Sequence, residues 1–159
     1  MKKFKDYLGK SELAIHISER DFSFNMDEMF SIETTPESVS RALENNPADY
    51  TWMAMIKAKA SFDVRKKKMA LECLEAKLDK DARANVVGAE GTKVKLPTDK
   101  SVEKVIMRDE TWQVSKTTLN QAIYNEDVVS AIVEGLRQKH MSAVSLAGLL
   151  KQEFRMIEN

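Results

Sequence analysis

A chain of 159 residues with 43% hydrophobic and 31% charged side chains, 5 Gly and 3 Pro is long enough to bury a core and too apolar to be a disordered polymer. Its 25 basic and 25 acidic side chains cancel, which argues against a generally sticky polycation, and a single cysteine, Cys73, excludes an intramolecular disulfide framework and fits a reducing compartment. No tract is long enough to span a bilayer, and the N-terminus MKKFKDYLGKSELAIHI carries charge where a signal peptide needs an unbroken apolar run, so a cytoplasmic protein is expected.

In chain order, residues 1–34 read as an acidic arm or small element. Between Leu13 and Phe24 apolar and polar residues partly alternate, which suits a short strand or an extended arm. In TTPESVSRALENN, Thr35 can cap the first free amides, Pro36 takes the first helical position and Glu37 favours the positive helix end. A short helix is therefore expected from Pro36 to about Glu44, ended by Asn45, Asn46 and Pro47, with a restart near Ala48. From there to about Ala84 neither Gly nor Pro intervenes, and one long helix is predicted. Trp52, Met55, Phe62, Met69, Cys73 and Ala76 recur at intervals of three, four or seven, the stripe of a helix packed on a helix, with Cys73 as a small buried hydrophobe. Lys59 and Lys66 fall on that seam and are expected at its edge, stems buried and ammonium groups in water.

Asn85 to Pro97 reads as a break, a flexible hairpin or a loop with turns at Gly88 and Gly91. Thr98 or Asp99 then caps a further helical region running to about residue 156, as one very long helix or two joined near Asn125, Glu126 and Asp127. Val105, Trp112 and Leu119 mark one heptad seam in it, and Val129, Ile132, Leu136, Ala143, Leu146 and Leu150 a second. The expected fold is mainly α: residues 35–159 form a long αα-hairpin with coiled-coil-like seams. It has one apolar seam too many for a monomer, which points to an oligomer of closed cyclic symmetry.

Nothing in the sequence assembles an enzyme. His16 and His140 are far apart and lack carboxylates or a cysteine at metal-ligand spacing; His140 near a seam reads as packing or surface. Asp27 and Glu28 have no partner cluster, there is no phosphate-cradling glycine loop and no nucleophile elbow, and no cofactor is expected. What stands out is charge placement. Residues 1–50 carry a net charge of −4, residues 51–116 +5 and residues 117–159 −1. The run KAKASFDVRKKK, Lys57 to Lys68, holds six basic residues against one acid. A lysine-rich helix face is often only solvated surface. The functional alternative is a phosphate track along one helix made by Lys59, Arg65, Lys66, Lys67, Lys68 and Lys77, made multivalent if copies form a ring. The aromatics near the run that could stack bases are Tyr50, Trp52 and Phe62, with Tyr50 and Trp52 the leading candidates and Trp52 and Phe62 fitting the core seam better; nothing reads base edges, so binding would be independent of sequence.

The order of a capped short helix, NNPADYTWM, a Lys-rich helix, a Gly-containing loop, KSVEKVIMRDETW and AIVEGLRQKHMSAVSLAGLLK resembles the phage recombination mediators of the UvsY type, over roughly Thr35 to Lys151. KKMAL, Lys67 to Leu71, is similar to a lysine-lysine-valine-alanine-leucine piece of that family. LEAKLD, Leu74 to Asp79, is similar to its leucine-lysine-alanine-arginine-leucine-aspartate piece. In the family this second piece supplies a lysine and an arginine for single-stranded DNA. Lys77 stands at the arginine's position and keeps the charge, while Glu75 stands at the lysine's and reverses it. The resemblance implies a helical, ring-forming, non-enzymatic accessory of phage homologous recombination and repair in the host cytoplasm. It would bind single-stranded DNA and help a recombinase displace a single-strand-binding protein. The rival expectation is a helical structural or assembly protein whose lysines only keep it soluble. Membrane contact through the basic face is disfavoured, because no large apolar surface was expected beside it. The acidic N-terminal segment is read as a partner contact or as a cover for the basic helix.

Overall fold

The computed structural model describes residues 12–84 and 97–157. The glycine-containing stretch read as a hairpin or loop falls at 85–96, outside the described residues, as does most of the charged N-terminal stretch. The elements in chain order are β1 (Glu12–Ile17), β2 (Arg20–Asn25), α1 (Met26–Phe30), α2 (Pro36–Ala84), α3 (Asp99–Arg108) and α4 (Glu110–Ile157). The described residues are mainly helical, with one two-stranded antiparallel sheet among them. It divides into two compact units, residues 12–60 with 125–157 and residues 61–84 with 97–124, so that α2 and α4 each contribute to both.

In the first unit the partial alternation around Leu13 becomes a tight hairpin. Ile15 pairs with Phe22 and Ile17 with Arg20, and Ser18 and Glu19 lie in the left-handed region (φ 47° and 67°). Two residues of positive φ give the turn whose twist matches the strands, a place usually taken by Asn-Gly. On the other face His16 Nδ1 lies 2.7 Å from Asp21 Oδ1, its direct cross-strand partner. The inward residues Ile15, Ile17 and Phe24, with Met26 of α1, join Met53, Ile56 and Ala60 of α2 and Val129, Ile132 and Leu136 of α4 in one buried core. The described part of the stretch read as an arm is thus a wall of this core. Four of its side chains, Ile15, Ile17, Phe24 and Met26, belong to the buried cluster.

Asn25 caps α1 through its side chain, which accepts from the Glu28 amide at 3.3 Å. Thr35 caps α2 as expected, its Oγ1 accepting from the Ser38 amide at 3.2 Å, with Pro36 at the first helical position. The expected stop at Asn45, Asn46 and Pro47 does not occur: α2 is continuous from Pro36 to Ala84 with Pro47 inside it. An interior proline removes one helical hydrogen bond and crowds the preceding turn, at about 3 kcal/mol. The flanking turns are both held by packing, with Val39 and Ala42 buried before Pro47 and Met53 and Ile56 after it. Asn46 adds a bond across the unit, its Nδ2 donating to the Leu136 carbonyl at 3.1 Å, and Thr51 Oγ1 donates to the Pro47 carbonyl at 2.8 Å. Asn125 makes a second such tie, donating to the His16 carbonyl at 2.5 Å.

The seam predicted for α2 is on the wrong side of the helix. Met55 (59% exposed), Phe62 (64%) and Met69 (65%) face solvent, Cys73 and Ala76 are exposed, and Trp52 is half exposed. The inward positions are one residue over: Met53, Ile56 and Ala60 in the first unit, and Asp63, Lys67, Leu71, Leu74 and Leu78 in the second. The outward set holds the larger aromatics, but the inward set can carry Asp63 and Lys67 because the two charges satisfy one another. Lys67 Nζ lies 2.7 Å from Asp63 Oδ2.

The C-terminal region is two helices, but the join is at Asp109 and not near Asn125. Asp109 caps α4, accepting from the Trp112 amide at 2.9 Å and from the Thr111 hydroxyl; these bonds, the hydroxyl's first, hold its carboxyl below the usual carboxylate range. Through Asn125 α4 is unbroken. Its two expected seams are one stripe, covered within this single chain: Leu119, Val129, Ile132, Leu136 and Ala143 are buried, and Trp112, Leu146 and Leu150 half-buried. Val105 is the exception, exposed on α3. Of the nine residues expected to form an oligomer seam, intrachain packing thus buries five outright and three in part. His140, expected near the seam, is exposed.

Candidate nucleic-acid interface

The basic run lies on α2, and its members belong to different environments. Lys59 is exposed in the first unit. Arg65, Lys66, Lys68 and Lys77 are exposed in the second. Lys67 is not part of a solvent track, because its ammonium group is drawn inward onto the buried Asp63. Its removal from the set follows from helical geometry, since at ~100° per residue Lys67 shares the arc of Asp63 and Leu71.

The same periodicity places the other residues of the second unit on the solvent half of the helix. Arg65 and Lys68, three apart, form one cationic row; Lys66 and Lys77 form another. Between the rows run Phe62, Met69 and Cys73, all exposed. Arg65 is steadied by its own helix, Nε donating to the Ser61 carbonyl at 3.3 Å. Farther along, Arg83 is unsuited to a free anion. Its guanidinium donates to Asp79 at 2.9 and 3.1 Å and to Asp99 at 2.8 Å, which raises its pKa, and the Arg83 bond holds the Asp79 carboxyl below its ordinary value.

Glu75, where the resemblance expects a lysine, has a structural role. Its Oε1 accepts from the Trp112 indole N–H at 2.8 Å, joining α2 to α4 within the second unit. The Glu75→Lys variant therefore restores a positive charge but removes the acceptor and places an ammonium against an indole donor. A hydrogen bond to a charged acceptor is worth about 1.5–3 kcal/mol. Urea unfolding of Glu75→Lys should show a loss of about 1–2 kcal/mol because the contact is only partly buried, while Glu75→Gln, which keeps an acceptor oxygen, stays near wild type.

The expected stacking aromatics belong to the first unit. Trp52 meets Phe24 edge-on with ring centroids 5.7 Å apart, and Phe24 in turn stacks on Phe22 at 6.4 Å, so one side of the indole is committed to the hairpin. Tyr50 lines an apolar cleft with Asn46, Pro47, His140 and Met141. Phe62, which the sequence offers as a stacking aromatic but whose heptad position favoured the core, is instead exposed. The signal that could have found it is the lysine at each neighbouring seam position, Lys59 and Lys66.

A second cleft in the first unit, of about 510 Å³, is lined by Glu28, Glu33, Glu37 and Asp49 with Arg41 and Lys139. Its excess of carboxylates repels phosphate. Lys139 Nζ donates to the Met29 carbonyl at 2.6 Å, and burial lowers its pKa, partly offset by Asp49. Among the described residues no group of three His, Cys, Asp or Glu side chains could hold a metal ion, and no helix is long and apolar enough to cross a membrane. No protein-family model matches the chain, and no curated protein or solved structure matches it.

Proposed function

We propose that this chain is a non-enzymatic, sequence-independent single-stranded DNA-binding protein of the recombination-mediator kind, working in the cytoplasm of a phage's host. It assembles as a homo-oligomeric ring and helps a recombinase displace a single-strand-binding protein from DNA. The observation that carries the DNA-binding part is the pair of exposed cationic rows on α2, Arg65 with Lys68 and Lys66 with Lys77, in a chain whose total charge is zero. Cations spaced along a helix match the repeating charge of a phosphate backbone, and copies in a ring turn a weak site into a strong one. The recombinase and the single-strand-binding protein enter through the UvsY-type resemblance, which also supplies the ring.

The test is fluorescence anisotropy of a labelled oligonucleotide at several salt concentrations. Each neutralised phosphate of a single strand contributes about −0.7 to the slope of log affinity against log salt. The wild type should bind with a slope of about −2 or steeper. The triple variant Arg65→Ala, Lys66→Ala, Lys68→Ala should flatten it by about 2 while circular dichroism stays unchanged. Lys67 is left intact because its loss would disturb the fold. A folded wild type that fails to bind any oligonucleotide at low salt would overturn this reading and favour its rival, a helical structural or assembly protein with solvated lysines.

A further inference from the structure

Phe62 is 64% exposed and Met69 65%, with Cys73 also exposed one turn on, so the middle of the solvent face of α2 in the second unit is apolar. α2 holds several large apolar side chains in water, Met55 and Met69 among them, but Phe62 is its one aromatic ring in the second unit and stands among exposed cations. The ridge is flanked on both sides, by Arg65 and Lys68 along one row, which the exposed Glu72 shares, and by Lys66 and Lys77 along the other. Lys80 falls on the ridge line itself, five turns of sequence position beyond Phe62 in steps of three and four.

Those charges decide between occupants. A second copy docking through this face would bring together two surfaces on which Arg65, Lys66, Lys68, Lys77 and Lys80 outnumber Glu72, and an excess of like charge at a helix seam opposes association. An occupant with anionic rails and flat apolar faces between them is complementary to both the cations and the ridge. A single-stranded nucleic acid has that form: its phosphates meet the rows and its unstacked bases meet the ring, whereas a duplex keeps its base faces covered.

We propose that Phe62 is a base-stacking platform, with Met69 extending it, and that this ridge makes the site prefer single-stranded over duplex nucleic acid. The proposal rests on the DNA-binding reading and adds a contribution that phosphate contacts alone would not give. Stacking should be insensitive to salt, whereas the cationic rows give the salt slope.

The experiment compares three labelled probes of equal length at fixed salt: a pyrimidine single strand, the same sugar-phosphate chain without bases, and a duplex. Wild type should bind the single strand roughly tenfold more tightly than the baseless chain, the size expected of one or two stacked bases. Phe62→Ala should lose roughly that tenfold on the single strand, with its salt slope unchanged, and lose nothing on the baseless chain. Phe62→Trp should retain or improve binding. Because the ring is largely in water, these variants should keep wild-type circular dichroism and urea midpoints, and that is measured alongside. Wild-type affinity of a folded Phe62→Ala, or an equal loss on the baseless chain, would overturn the stacking role and leave phosphate binding standing. If light scattering shows Phe62→Ala to be a smaller assembly and its affinity loss tracks that change, the ridge is an interface between copies and the proposal is overturned. Failure of the wild type to bind any of the three probes overturns the DNA reading itself.

Discussion

Lys67→Met should lower the stability of the chain by about 2–3 kcal/mol, more than any other single replacement in the basic run. The Asp63 side chain is only 9% exposed, and Lys67 Nζ, 2.7 Å away, is its partner. Removing one member of a buried pair typically costs about 3–5 kcal/mol because a charge is left without compensation, and the figure here is reduced since the Lys67 side chain keeps contact with water. The complementary variant reverses the sign of the argument. Asp63→Leu combined with Lys67→Met puts two apolar side chains on the arc that holds Ala60 and Leu71, and apolar replacement of a buried pair is often neutral or stabilising. Urea unfolding of the two single variants and the double variant measures the coupling, which should be about 2 kcal/mol or more. A Lys67→Met protein as stable as wild type would mean that Asp63 finds water. DNA affinity, compared at matched folded fraction, should change little in the double variant.

Leu136→Ala should cost about 3–5 kcal/mol. Leu136 is fully buried in the core shared by the hairpin, α2 and α4, and its carbonyl also receives the Asn46 amide. The replacement removes three carbons' worth of burial and leaves a space bounded by elements that are tied to one another, so collapse around it is limited. Leu136→Met, of similar volume, should cost less than about 1.5 kcal/mol. The pair of urea midpoints separates a packing defect from loss of the Asn46 bond, because the backbone acceptor is present in both variants.

Much of the architecture could be read from residue order. The cap at Thr35, the proline at the first turn, and the stripe Val129, Ile132, Leu136, Ala143 follow from local rules, and each is where those rules put it. The inner face of α2 was not legible, because two apolar registers overlap there and the one with Trp52 and Phe62 has the larger side chains. Choosing the other requires knowing that Asp63 and Lys67 cancel each other, a fact of geometry and not of composition. The passage through Pro47 was hidden for a related reason: its local penalty is offset by packing against sequence-distant residues, including the Leu136 carbonyl. The break at Asp109 did leave a local trace, an acid with Glu110 and Thr111 after it, but Asn125, Glu126 and Asp127 make a similar polar interruption farther on. For the candidate site, the cations were visible from the start. Which of them reach water, and that an aromatic ring stands among them, depended on the helix's rotation.

The two units differ in how their chain is assembled, and that difference sets an order of events during synthesis. The second unit is drawn from one span, residues 61–124, so all of its contacts become available once that span has been made. The first unit needs residues 12–60 and 125–157 together. Met53, Ile56 and the hairpin's inward residues must wait for Val129, Ile132 and Leu136, a closure over more than sixty residues whose entropic cost grows only slowly with length but delays the encounter. At synthesis rates of about 5–20 residues per second, the apolar half of the first unit is uncovered for several seconds on every nascent chain. During that interval the apolar face of the N-terminal hairpin, Ile15, Ile17 and Phe24, lacks the α4 side chains that cover it, and uncovered apolar surface is prone to association with a neighbouring chain.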